Sequence, residues 1–263
     1  MILIGCAEQI LPGDNLEAKF EAASRLGFDA IDLVGKGLKA NAEIVKRFAR
    51  ETGLKVGAIY SRLSGCLLDP DPKVRELAIT ELKDRLESAA EIGAIGVIFV
   101  PIFGAARLPD LRPLFASVSE LEGELLVGLL KEIAKEAESL RTTLILEPLN
   151  KQETHFINTL PQAVRICDRV GSGALKIVAD VYHMNLEGED LVRAITEAAP
   201  YIAHVHLSNS DRTIPTPEDI DFGSILTALD SIHYKGCAAL ECKAPENSEA
   251  LGHSAKFLKG FLK

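Results

Sequence analysis

A rhythm constrains this chain more than any single motif does. Eight short apolar, β-rich runs recur along its 263 residues, at 2–7, 30–34, 55–60, 96–103, 143–149, 175–182, 201–207 and 237–242. Most are apolar along nearly their whole length, as strands covered on both faces must be. Amphipathic helical patterns separate them. Asp14 and Glu17 have capping-box spacing, Leu16, Phe20 and Ala23 fall on one helical face, and Gly27 ends the pattern. Asp71-Pro72 reads as an N-cap followed by proline in the first turn, with Val74, Leu77, Ala78, Leu82 and Leu86 as the buried face. Ser119 and Glu122 are placed to cap the helix before the fifth run. The stretches 41–52, 161–170, 190–199, 224–231 and 249–262 supply the remaining helices.

Eight strand–helix units at about 33 residues each match a (β/α)8 barrel, which typically takes ~250 residues. A doubly wound sheet is the competing α/β architecture, but no GxGxxG or Walker A signature is present. The segment Leu26-Gly27-Phe28-Asp29-Ala30-Ile31 is echoed weakly by Ile92-Gly93-Ala94-Ile95-Gly96-Val97, each placing a helix-ending glycine before a strand. No low-complexity linker interrupts the pattern, so 1–263 reads as one barrel domain. Three connections are long, 61–71, 104–118 and 208–221. All follow strands, which in a barrel places them on the catalytic face.

Charge and cysteine usage narrow the class. A net charge of −9 disfavours nucleic acid, whose phosphates need clustered Lys and Arg. It leaves room for a small anionic substrate, which needs only one or two local cations. Five scattered cysteines without a CxxC pair read as reduced structural thiols, and so as a cytoplasmic protein. Leu3-Ile4-Gly5-Cys6 has the look of a lipobox, but no basic segment and apolar stretch precede it, and no apolar run is long enough for a membrane span.

Against this apolar background, four polar side chains stand out. The fifth run ends Leu146-Glu147-Pro148, the sixth Ala179-Asp180-Val181, the seventh His204-Val205-His206 and the eighth Leu240-Glu241-Cys242. From Glu147 to Asp180, His206 and Glu241 the steps are 33, 26 and 35 residues, about one unit each. A lone carboxylate at a strand end is often a cap or an ion-pair partner, and a lone strand histidine is often a satisfied core residue. One such residue in each of four consecutive units is different, because the C-terminal strand ends of a barrel converge on one mouth. Three carboxylates and an imidazole suit Mn²⁺, Mg²⁺ or Co²⁺ better than a thiolate-rich zinc site. His204 and His206 share a strand face, so spacing alone leaves both open as the imidazole ligand.

The segments Glu147-Pro148-Leu149-Asn150-Lys151-Gln152-Glu153, Asp180-Val181-Tyr182-His183-Met184-Asn185, His206-Leu207-Ser208-Asn209-Ser210-Asp211-Arg212 and Leu240-Glu241-Cys242 resemble the sugar-phosphate isomerase/epimerase superfamily of xylose isomerase-like TIM barrels. The likeness is greatest to its ketose 3-epimerase branch, the D-tagatose/D-psicose 3-epimerase type. It is sharp over 144–242 and generic in the N-terminal half. It implies that Glu147, Asp180, His206 and Glu241 bind one divalent ion, foremost Mn²⁺, and that Glu147 and Glu241 are also the catalytic acid/base pair. It further implies that Glu153, His183 and Arg212 contact substrate oxygens. A sugar or sugar phosphate as substrate and a homo-oligomer, dimer or tetramer, follow from the same resemblance, with neither nucleic acid nor membrane as partner. Two features depart from the pattern: residues 213–222 hold Pro215 and Pro217 but no glycine of a Pro-Gly-x-Gly stretch, and the chain has no tryptophan.

Such a site moves a proton beside a carbonyl. A cation offsets the charge of the enediolate, while two carboxylates on opposite sides remove and return the proton. A hydroxypyruvate isomerase-like aldose–ketose isomerase and an inosose dehydratase-like enzyme are the alternatives on this fold. An endonuclease IV-like nuclease is disfavoured, because that type draws histidines from early strands and all six here follow position 154. A barrel that only binds sugar would be expected to lose the quartet.

Overall fold

A computed structural model describes residues 1–262; Lys263, the last residue of the expected 1–263 barrel domain, lies outside the described residues. Eight parallel strands, β1 (Leu3–Ala7), β2 (Ala30–Val34), β3 (Lys55–Tyr60), β4 (Gly96–Phe99), β5 (Leu144–Leu146), β6 (Leu175–Asp180), β7 (Ile202–Leu207) and β8 (Cys237–Leu240), pair in chain order. Ile4 on β1 opposite Ala238 on β8 closes the barrel. Helices α1 (Leu16–Arg25), α2 (Ala42–Thr52), α3 (Pro72–Ile92), α4 (Val118–Leu140), α5 (Leu160–Val170), α6 (Val181–Leu186), α7 (Leu191–Glu197), α8 (Phe222–Ser231) and α9 (Glu249–Lys259) connect the strands or close the chain. The (β/α)8 expectation is borne out. No helix among the described residues is long and apolar enough to cross a membrane.

The large apolar cluster lies between strands and helices, with Phe20, Leu82, Leu86, Leu126 and Leu258 fully buried against the outward strand residues. A small second cluster of Ala7, Ala58, Tyr60, Ile98, Ile145 and Val178 fills the barrel itself. Two pairings slip register. Between β2 and β3, Gly57 and Ala58 oppose the single Asp32; between β6 and β7, Ala203 is the extra residue beside His204. Such irregularities redirect side chains, and both turn a polar group into the barrel interior.

Helix starts differ from expectation in detail. Asn15, not Asp14, caps α1 by accepting from Ala18 N (2.9 Å), and Ser117, two residues before Ser119, caps α4 through Glu120 N (3.1 Å). Asp71 caps α3 as expected, but Leu77 is 46% exposed, because α3 turns its Ala78–Leu82–Leu86 ridge to the sheet instead.

At the start of α5, the half-buried Glu189 carboxylate accepts from Leu160 N (3.3 Å). Burial pushes its carboxyl up to about 7, and Glu187 adds to the effect. A carboxyl raised in the folded state costs stability as pH climbs from its unfolded value through about 7, because the folded chain must then give up a proton it prefers to keep. Glu189→Gln, which retains the acceptor, is therefore expected to melt progressively higher than the parent as pH rises from 5 to 8. Thermal unfolding at a series of pH values reads this, and parallel curves would contradict it.

Candidate active site

At the C-terminal end of the barrel, Glu147 and Glu241 line a cavity of about 490 Å³, and the buried Asp180 and His206 gather against them. Glu147 follows β5 by one residue, Asp180 ends β6, His206 is the penultimate residue of β7, and Glu241 follows β8 by one. Each offers one donor atom, and the four atoms lie within 4.8 Å of one another. His206 Nδ1 faces all three carboxylates, 3.0 Å from Glu147, 3.5 Å from Asp180 and 3.5 Å from Glu241. The strands bring these residues together because successive strand ends are adjacent around a closed ring.

The electrostatics follow from crowding. Burial opposes a charged His206, but Glu241, Asp180 and Glu147 outweigh it and hold the imidazole well above its ordinary range. Burial pushes the Glu241 carboxyl up to about 7, with Glu147 and Asp180 adding and His206 and Arg212 opposing. Burial also acts on Asp180, yet His183, His206 and Arg212 prevail and hold its carboxyl well below the usual carboxylate range. The cluster thus favours positive charge at its centre. Its donor set, three carboxylates and one imidazole nitrogen, fits a divalent cation of the oxygen-preferring kind.

The remaining candidates ring this cluster. Arg212 reaches Glu241 Oε2 (2.9 Å) and Glu153 Oε1 (3.3 Å), and its guanidinium lies 4.8 Å over the Tyr182 ring. Its partners are therefore site carboxylates, not Asp211 or Asp221. Its backbone is left-handed (φ 64°), a conformation a non-glycine residue adopts at a cost. His183 is buried, and its Nδ1 accepts from the backbone N–H of Asn150 (3.2 Å). A backbone amide can only donate, so the ring proton sits on Nε2, which faces Asp180 Oδ2 at 3.7 Å. Glu153 sits on the loop after β5, held by Asn150 Nδ2 (3.2 Å). That loop is tied across to the loop after β4 by a Gly104–Thr154 bridge and by His155, whose Nε2 lies 2.7 Å from the buried Glu122 of α4. The cavity walls come chiefly from the loops after β3 and β4, including Arg62, Phe103 and Arg107, while its floor comes from β5–β8.

Sequence spacing passed over Asp32 and Tyr60. Asp32 on β2 is fully buried, 2.8 Å from His204 Nε2 and 3.8 Å from His206 Nε2. His204 therefore turns to Asp32, and His206 alone of the two joins the quartet. Tyr60 Oη lies 3.3 Å from His206 Nε2 with the rings stacked at 5.6 Å. Burial, then Glu241 and Asp32, push the Tyr60 hydroxyl far above its usual range, so it stays neutral. Asp32 carried the same signal as the quartet, a charge inside an apolar run. All five cysteines are unpaired.

Comparison with known proteins agrees with this architecture. A family profile described as "Xylose isomerase-like TIM barrel" matches residues 20–261. The chain is 29% identical, over 97% of its length and 98% of the relative's, to a 3-dehydro-D-guloside 4-epimerase of Escherichia coli (strain K12). It is 28% identical, over 84% of its length and 74% of the relative's, to a D-psicose 3-epimerase of Enterocloster bolteae. Among solved structures, a 3-keto-D-glucoside 4-epimerase from E. coli superposes with a TM-score of 0.89 at 28% identity, covering 99% of this chain and all of the other.

Proposed function

The chain belongs to the xylose isomerase-like TIM barrel family, and from that premise we propose that it is a divalent-metal-dependent sugar epimerase acting at a carbon beside a carbonyl. The observation that carries this reading is the meeting of Glu147, Asp180, His206 and Glu241 around one point, with Glu147 and Glu241 also lining the cavity. The names of the relatives support it: a ketose inverted at carbon 3 and a 3-keto sugar inverted at carbon 4 both change a centre next to a carbonyl. Ketose 3-epimerisation remains the primary reading. The 4-epimerisation of a 3-keto glycoside is the second, favoured by end-to-end coverage of the E. coli relative and by a cavity that extends beyond the floor to Arg62, Phe103 and Arg107.

Glu147, Asp180, His206 and Glu241 would hold the cation, which when bound supplies Lewis-acid stabilisation of negative charge on substrate oxygens. Mn²⁺ is our first choice, since the donor set is rich in carboxylate oxygen and has no thiolate. The chain's own groups handle the proton. Glu147 and Glu241 approach from strands three apart in the ring, so a sugar between them presents one face to each. One carboxylate takes the proton from the carbon, and the other returns a proton to the opposite face. His183 offers its Nε2–H, and Arg212 its guanidinium, to substrate oxygens; Glu153 accepts from a substrate hydroxyl and steadies Arg212. We place the enzyme in a reducing, cytoplasmic setting, in keeping with five unpaired thiols, and read it as a homo-oligomer.

The test is incubation with Mn²⁺ in D₂O of D-fructose, D-tagatose and a 3-keto glucoside, followed by NMR. Deuterium at carbon 3 of a ketose, or carbon 4 of the keto glycoside, together with the inverted sugar, is expected. No exchange into any of them would overturn the reading.

A further inference from the structure

His206 presents its two nitrogens to two different surroundings. Nδ1 faces the three carboxylates of the quartet. Nε2 faces a separate shelf inside the barrel, with Tyr60 Oη at 3.3 Å and Asp32 Oδ2 at 3.8 Å. We propose that Asp32 and Tyr60, braced by His204, are positioning residues that hold the ring proton of His206 on Nε2 and so leave the Nδ1 lone pair free for the cation. The inference rests on the metal-centre reading above.

The shelf is built with care at several independent points. The register slip between β2 and β3 sets Gly57 and Ala58 against Asp32. Ala58 N then donates to Asp32 Oδ1 (2.7 Å), so the side chain takes over a bond that the ladder would otherwise supply. Gly57 is required there, since a Cβ at that position would collide with Asp32 Oδ1. The second slip, at Ala203, sets His204 in the barrel with its Nε2 2.8 Å from Asp32 Oδ2. Among the described residues His204 Nδ1 has no hydrogen-bond partner, so the Asp32 contact is the polar anchor of that buried ring.

A buried carboxylate is costly unless it is fully partnered. Ala58 N and His204 Nε2 each bond one oxygen of Asp32, and Oδ2 also lies 3.8 Å from His206 Nε2. A neutral imidazole carries one ring proton. With a carboxylate and a phenol on the Nε2 side, and a cation on the Nδ1 side, the proton belongs on Nε2. Outer partners of this kind orient metal-ligating histidines and typically matter ~10–100-fold in metal affinity. Asp32, His204 and His206 also satisfy the spacing of a second cation site. That occupant is disfavoured, because Asp32 Oδ1 is already bonded to Ala58 N and Oδ2 to His204 Nε2.

The experiment compares the full-length protein with Asp32→Asn and Tyr60→Phe. Mn²⁺ affinity is measured by competition with a chelator, the Co²⁺-loaded absorption spectrum is recorded, and the melting temperature of the metal-free form is taken. Expected are ~10–100-fold weaker binding in both variants and an altered Co²⁺ spectrum, with the metal-free Tm of Tyr60→Phe close to the parent's. Should Asp32→Asn fail to fold, Tyr60→Phe decides alone. Parent-like affinity and spectrum in the folded variants would overturn the inference while leaving the metal centre standing. A parent protein that binds no divalent cation would instead overturn the metal-centre reading on which it rests.

Discussion

Glu241→Gln, assayed at saturating Mn²⁺, is expected to slow interconversion of the two epimers by roughly 10²–10⁴-fold, the usual contribution of a positioned acid or base. The loss should be asymmetric. Glu147 still reaches one face of the substrate, so the epimer whose proton points toward it should continue to exchange that proton with D₂O. The other epimer should not. Glu147→Gln should reverse the pattern. The reason is geometric: the two carboxylates stand three strands apart around the barrel, and in the proposed reaction each would serve one face. Deuterium wash-in followed separately for each epimer reads the result. Parent-like rates for both epimers in either variant would remove the acid/base assignment. Because Arg212 pairs with Glu241 at 2.9 Å, the variant should also raise KM by loosening that guanidinium.

Stripping divalent ions with a chelator is expected to abolish turnover and to lower the melting temperature together. Three buried or nearly buried carboxylates converge on one imidazole, and a cation relieves their mutual repulsion. A ligand at 100 times its Kd adds about 2.7 kcal/mol to stability. At about 2–4 °C per kcal/mol for chains near this size, Mn²⁺ should raise Tm by roughly 5–10 °C. Activity should return on re-addition of Mn²⁺. Full turnover in the stripped protein, or a Tm indifferent to Mn²⁺, would contradict the reading.

The barrel was legible because every βα unit repeats one physical pattern, an apolar run and then an amphipathic helix. All eight strands fall within the runs seen in the sequence. Helix starts were less so: Asn15 and Ser117 compete with Asp14 and Ser119 within one turn, and the choice depends on which side chain the fold leaves free to bend back. The quartet could be singled out because a charge at the end of an apolar strand is conspicuous. Asp32 is equally conspicuous but stands apart from that series, and its partner His204 is 172 residues away, a pairing that barrel closure creates and linear spacing does not reveal. Tyr60 reads simply as a strand aromatic; only the folded geometry brings it against His206.

The separation of floor from walls has a further consequence for how such a catalyst changes specificity. The groups proposed to handle the proton are anchored in the second half of the barrel, whereas most of the remaining cavity lining hangs from the third and fourth units. Exchanging those two connections for others would present new clients to an unaltered reaction centre. The ties at Gly104, through Thr154 and His155, would have to be carried along, since they link one interchangeable part to the strap that bears Glu153.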